Sequence, residues 1–193
     1  MARPKEFDPE AALRDAVTLF WRQGYEATSV ADLVDHLGVG RPSLYATFGT
    51  KHQLYLRALD VYAQERVALD LELLSQPGPV LPVVRRWIQR YADEVEADEQ
   101  RLGCFAVNAA AELLPGDAEV ARIVEGAWGA TEAALTAALL RARAQGELPE
   151  GREPRALARC LLTLLHGIRV SGKRHQDRTH LGDVLSQIFL LLS

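Results

Sequence analysis

Apolar residues recur along this chain at intervals of three and four, the spacing that buries one face of a helix, and strand-like alternation bounded by turn residues is not evident anywhere. The first helical segment opens at Asp8-Pro9, an acidic cap with proline in the first turn. It carries Leu13, Ala16, Val17 and Phe20, and meets Gly24, placed to end it in a left-handed conformation. A short second helix begins near Thr28-Ser29, where Ser29 and Asp32 have the spacing of a reciprocal cap, and its buried face is Val30, Leu33, Val34 and Leu37. Gly38 breaks it. A third short helix follows with Arg41-Pro42 in its first turn and Leu44 and Phe48 pointing inward, and Gly49 ends it. Thr50 and Gln53 form a second capping pair, opening a long helix from about Lys51 to Leu74.

The run Pro77-Gly78-Pro79-Val80-Leu81-Pro82 is the clearest punctuation and marks a helix–helix joint. Beyond it the pattern predicts helices from about Leu81 to Asp98, Leu102 to Leu114, Asp117 to Gln145, Pro154 to Gly172 and Asp177 to Leu192. The expected fold is therefore all-α with about nine helices: a three-helix N-terminal helix-turn-helix domain over residues 1–50 and a larger helical domain over 51–193.

Composition changes this picture little. The chain has 193 residues, 48% of them apolar and 25% charged, enough to bury a core without disulfide or metal staples. Its longest apolar runs are about five residues, such as Ile188 to Leu192, far short of a membrane span, and Met1 to Phe7 lacks the apolar stretch of a secretory signal. Cys104 and Cys160 lack metal-site spacing, so a reduced cytoplasmic protein with free thiols is expected. No nucleophile elbow, phosphate loop or zinc-protease motif is present, and the five histidines do not cluster at ligand spacing. Neither an enzyme nor a metal or cofactor is expected, and a site at His175 and His180 is discounted on the same ground.

Charge poses a sharper question. The net charge is −4, and residues 1–51 hold six basic residues against seven acidic ones, so nucleic-acid binding must rest on where charges sit, not on their sum. The third helix is too short to stand alone but is braced by the first two, and it leaves one polar face outward, of a size the major groove admits. On that face Arg41, Ser43, Tyr45 and Thr47 are candidate contacts, with Pro42 and Ala46 available to thymine methyls and Arg41 suited to bidentate pairing with guanine. Lys51, in the first turn of the fourth helix, and Thr28 and Ser29, at the start of the second, suit phosphate. Arg3 and Lys5 form a short basic arm within reach of a minor groove.

The segments Leu19-Phe20-Trp21, Gly24-Tyr25, Thr28-Ser29-Val30 and Leu37 through Lys51, with the order L-Y-x-x-F-x-x-K at Leu44 to Lys51, closely resemble the N-terminal domain of the TetR (tetracycline repressor) family over roughly residues 10–62. One departure is Gly40, where many members have a serine cap. The resemblance implies that Tyr45 and Lys51 contact phosphates, that Arg41, Pro42, Ser43 and Thr47 face bases or backbone, and that Thr28 meets the backbone. It further implies a homodimer on a pseudo-palindromic double-stranded DNA operator, released by a small-molecule effector held among the middle helices.

Trp87, Tyr91, Cys104, Phe105, Asn108, Trp128 and His166 are aromatic or polar groups on otherwise apolar helices and are candidates to line the effector pocket; plain core packing is the competing reading. Cys104 follows Gly103 near a helix start with Arg101 close by, a setting that also suits a reactive sensor thiol, whereas Cys160 lies on an apolar stripe and reads as core. The last two helices carry apolar stripes wider than one face needs, and Leu161, Leu165, Ile168, Leu181, Leu185 and Ile188 are the expected dimer interface. A rival reading keeps the fold without DNA function, as an all-α small-molecule or protein-binding dimer. The effector, the operator, the regulated genes and the choice between repressor and activator lie beyond the sequence.

Overall fold

A computed structural model of the chain describes residues 7–174 and 178–192; the basic arm of Arg3 and Lys5 and the residue His175 lie outside the described residues. The helices are α1 (Pro9–Gln23), α2 (Val30–Leu37), α3 (Arg41–Phe48), α4 (Lys51–Leu74), α5 (Val80–Ala97), α6 (Phe105–Leu113), α7 (Ala118–Ala144), α8 (Pro154–Ser171) and α9 (Arg178–Leu190), and no strand occurs among the described residues. Local chemistry sets most boundaries. Asp8 caps α1 by accepting from the Glu10 N–H, and both reciprocal caps form, Ser29 with Asp32 and Thr50 with Gln53. Gly38 closes α2 at φ 63°, the left-handed region in which a Cβ is strained. Gly40 offers α3 no side-chain cap.

The sixth helix is shorter than its pattern predicts, starting at Phe105 in place of Leu102. Arg101 and Gly103 both take left-handed backbone angles, and the Gly103 N–H donates to the Asp98 carboxylate at 2.7 Å, so the chain reaches Cys104 in a turn.

Two apolar clusters hold the molecule together. The first joins α1, α2, α3 and the first half of α4, through Leu54, Tyr55, Ala58, Leu59, Tyr62 and Ala63, to α6 and the start of α7, through Phe105, Ala109, Val120 and Val124. The Tyr55 ring meets Phe20 and Phe105 edge-on at 5.0 and 5.5 Å. This core therefore runs past residue 50, and the helix-turn-helix is fused to α6 and α7 by a common interior. The second cluster packs the end of α4 with α5, α7, α8 and α9.

The second cluster also corrects the expected dimer surface. Leu161, Leu165, Ile168, Leu181, Leu185 and Ile188 are all buried within this single chain, where they close the core against α5 and α7. They are spent on intrachain packing and present nothing to a second copy. The exposed side of α8 is instead Ala156, Cys160, Leu164, Gly167 and Val170, with Leu190 exposed on α9. Cys160, expected in the core, stands on that surface.

Candidate nucleic-acid interface and interior cavity

The third helix is anchored by Leu44 and Phe48, both buried, with Phe7 tilted against Phe48 at 6.2 Å. Its opposite side is open: Arg41, Pro42, Tyr45 and Ala46 are exposed, and Ser43 and Thr47 are half-buried. Tyr45 is 43% exposed, unusual for a large ring, and the side chains of Arg41 and Tyr45 have no hydrogen-bond or ion-pair partner among the described residues. Arg57, not expected from the sequence, reaches back from α4 to donate to the Thr47 carbonyl at 3.3 Å, and adds a cation beside the end of α3.

Two of the expected phosphate ligands have structural work. Thr28 is fully buried, its hydroxyl donating to the Gly24 carbonyl at 2.6 Å, so its side chain braces the turn after α1 and has no surface for a phosphate. The Lys51 ammonium donates to the Tyr25 carbonyl at 2.8 Å and the Thr28 carbonyl at 2.9 Å, over the Tyr25 ring at 4.1 Å. Two of its three N–H bonds are thus engaged. Ser29 is exposed at the start of α2, with its oxygen accepting from the Asp32 N–H.

The helix-turn-helix is tied to the rest of the molecule by charged bonds that the sequence did not signal. One Glu112 oxygen at the end of α6 accepts from the Tyr25 N–H at 3.0 Å and the other from the Glu26 N–H at 2.8 Å. Gly24 stands beside them at φ 85°, where a Cβ would lie 2.8 Å from that carboxylate. On the other flank His52 pairs with Asp117, the cap of α7, at 2.6 Å. Burial pushes the Asp117 carboxyl up, but the Val120 N–H and His52 outweigh it, and the group stays below the usual carboxylate range.

Between α4, α5, α6, α7 and α8 lies a cavity of about 40 Å³. Tyr91, Cys104, Trp128 and His166 line it as expected. Trp87, Phe105 and Asn108 do not. Trp87 is fully buried and donates from Nε1 to Asp70 at 2.8 Å, Phe105 packs in the first core between Tyr55 and Tyr62, and Asn108 donates to the Leu102 carbonyl at 2.9 Å, holding the turn before α6. The cavity also takes Tyr62, Arg66, Asp70, Thr131 and Arg169, all outside the sequence-based set.

Asp70, 2% exposed, accepts from Trp87, Arg90, Tyr91 and Thr131. Glu94 accepts from Arg66 on both oxygens and from Arg169. Burial lifts the Glu94 carboxyl, but Arg169 and Arg66 outweigh it and hold it below the usual range. Burial, aided by Arg169, pushes the His166 imidazole below its ordinary value, and its ring lies 4.4 Å from that of Trp128. The Tyr62 hydroxyl donates to Cys104 Sγ at 3.5 Å. No group of three or more His, Cys, Asp or Glu side chains is placed to hold a metal among the described residues, and no described helix is long and apolar enough to cross a membrane.

Comparison with known proteins agrees with this geometry. Residues 12–58 match the profile of bacterial regulatory proteins of the tetR family, and residues 80–188 match that of the tetracyclin repressor-like C-terminal domain. The uncharacterized HTH-type transcriptional regulator YezE of Bacillus subtilis (strain 168) is 39% identical over 184 residues, 92% of this chain and 95% of its own. The HTH-type transcriptional repressor ComR of Escherichia coli (strain K12) is 33% identical over 172 residues, 89% of this chain and 82% of its own. Among solved structures, a cysteine mutant of the regulator CifR complexed with a 26-bp double-strand operator superposes with a TM-score of 0.83 at 28% identity, covering 99% of this chain and 98% of that one.

Proposed function

The chain belongs to the tetR family of bacterial regulatory proteins and is a helix-turn-helix transcriptional regulator, and from that premise we propose that it is a cytoplasmic repressor that binds a pseudo-palindromic operator as a homodimer and leaves it when a small molecule fills the interior cavity. The observation that carries this reading is the outward side of α3, where Arg41 and Tyr45 stand exposed and unpaired over a buried Leu44 and Phe48. In a two-fold dimer the two α3 helices enter successive major grooves about 34–36 Å apart. Arg41 reads guanine, Pro42 and Ala46 meet thymine methyls, and Ser43, Tyr45 and Thr47 contact bases or backbone. Ser29 and the third N–H of Lys51 add phosphate bonds.

The dimer closes over the exposed side of α8, with small Ala156 and Gly167 admitting close approach and Leu164, Val170 and Leu190 supplying apolar area. Two routes lead from the cavity to the DNA face. One is α4, which carries Tyr62 and Arg66 on the cavity and Lys51 at its start. The other is α6, whose cap Cys104 lines the cavity and which ends near Glu112, the residue that grips the turn between α1 and α2. An effector releases DNA only through its differential affinity for two arrangements of these helices.

Selection of bound sequences from random duplex DNA tests the proposal. It yields an inverted repeat with half-site centres about one helical turn, or a whole multiple, apart. Enrichment of no sequence above the input favours the rival, an all-α binding protein without DNA function.

A further inference from the structure

We propose that the interior cavity binds a small organic monoanion, a carboxylate with an apolar tail, its head on Arg169 and Arg66 and its tail toward the groove between α4 and α7. This inference rests on the effector reading above and names the chemical class that site takes.

The charge around the cavity does not balance. Arg66, Arg90 and Arg169 face only two carboxylates, Asp70 and Glu94, in one connected set of ion pairs. His166 adds no charge near neutral pH, because burial first and Arg169 second press its pKa down. One positive charge is left over, and the Arg169 side chain is only 7% exposed. Arg169 is paired, but with a carboxylate it shares with Arg66 and Arg90, so the set as a whole carries one excess positive charge in a half-buried place, and an anion placed beside it offsets that charge.

Acceptors run out in the same place. Asp70 already takes four donors and Glu94 is occupied by Arg66 and Arg169, so Arg169 Nε–H finds no acceptor. Arg66 bonds Glu94 through Nη2 alone. A neutral carbonyl would satisfy the orphaned N–H but leave the charge; a carboxylate does both.

Size supports a compact head with a tail beyond it. The cavity's 40 Å³ is room for about three water-sized centres, comparable to one carboxylate group. Ala63, Val67 and Ala127 line it and also line a groove of about 410 Å³ between α4 and α7, to which Ala68, Leu71 and Gly126 contribute. The pocket and the groove thus border each other along three modest apolar side chains, across which a tail of several methylenes extends toward Leu71 and Ile123, with Asp60, Gln64 and Arg122 at the groove's polar margin.

The test uses the full chain without DNA. Straight-chain carboxylates from acetate to octanoate, and the primary amide of each, are titrated by calorimetry and by quenching of tryptophan emission, since Trp128 lines the cavity. The expected result is one site per chain for the longer carboxylates, with each amide at least tenfold weaker. Arg169→Met is expected to lose carboxylate binding. Gly126→Leu, whose Cβ enters open space, is expected to weaken octanoate more than butyrate. Amides that bind as well as the acids, or a folded wild-type chain that binds none of the acids, overturn the inference, and neither result depends on how Arg169→Met folds. The operator selection contains no ligand, so a chain that selects an operator yet ignores every acid refutes this proposal alone.

Discussion

Glu112→Gln is a small change with a large expected effect on the helix-turn-helix. The carboxylate gives one oxygen to each of two backbone N–H groups, Tyr25 and Glu26. Glutamine has one carbonyl oxygen and one NH2 group. It keeps a neutral bond to one N–H and sets a donor against the other. Charge-assisted bonds contribute about 1.5–3 kcal/mol each when protected, and this site is exposed, so the pair together is worth about 1–3 kcal/mol. That corresponds to roughly 5- to 150-fold faster exchange of the Tyr25 and Glu26 amides, read by hydrogen exchange. The same loss lowers Tm by roughly 2–12 °C, at about 2–4 °C per kcal/mol for a chain of this size. Glu112→Ala, which keeps neither bond, should lose more than Glu112→Gln, with both amides exchanging faster. Exchange at both amides unchanged in Glu112→Gln would refute the clamp, and with it the α6 route between cavity and DNA face.

Further expectations follow from the same structure. Lys51→Met strips two backbone carbonyls of their shared donor, and thermal melts should show a loss of about 2–4 kcal/mol; an unchanged melt would free the ammonium for phosphate alone. The depressed His166 pKa makes stability fall as pH drops below about 6.5, because the unfolded imidazole takes a proton that the folded one refuses. Depressed Glu94 adds a second loss below about pH 4.3, because the unfolded carboxyl takes a proton that the folded carboxylate refuses until the pH is lower. Urea titrations of His166→Gln should lack the first loss, and an equally steep decline between pH 6.5 and 5 would contradict it. Val170→Asp, at a position 55% exposed in the single chain, should yield folded monomers by light scattering at micromolar concentration; an intact dimer would move the interface off α8.

Local signals were legible in the sequence because their physics is local. The Ser29–Asp32 and Thr50–Gln53 caps, the glycine closing α2 and the outward side of α3 depend on residues a few positions apart, and each stands where the spacing put it. The phase of α8 and α9 was not legible. Their apolar residues run most of the way round, so periodicity finds two apolar sides without telling which packs on the chain's own α5 and which is left over. The buried side is Leu161, Leu165 and Ile168, and the leftover side holds Cys160, Leu164 and Val170.

The charged frame of the cavity was hidden for another reason. Asp70, Arg66 and Arg169 have no partner near them in sequence, since the pairing that makes their burial tolerable joins residues 20 to 75 positions apart. One signal was present: Asp70 falls seven residues after Ala63 and four before Leu74, on the buried side of α4. An acidic residue in that phase demands partners. Glu112 gave no such sign, because a glutamate near the end of a helix is ordinary until the turn it grips is folded against it.

The central claim is that the exposed side of α3 reads base pairs. It is tested most directly by measuring wild type and Arg41→Ala against the selected operator and its single-base variants, across a range of salt concentrations. Arg41→Ala is expected to cost about 1–3 kcal/mol on the selected operator and to lose discrimination at one guanine per half-site, while discrimination at the other positions persists. Equal affinity and equal discrimination for the two proteins would contradict it.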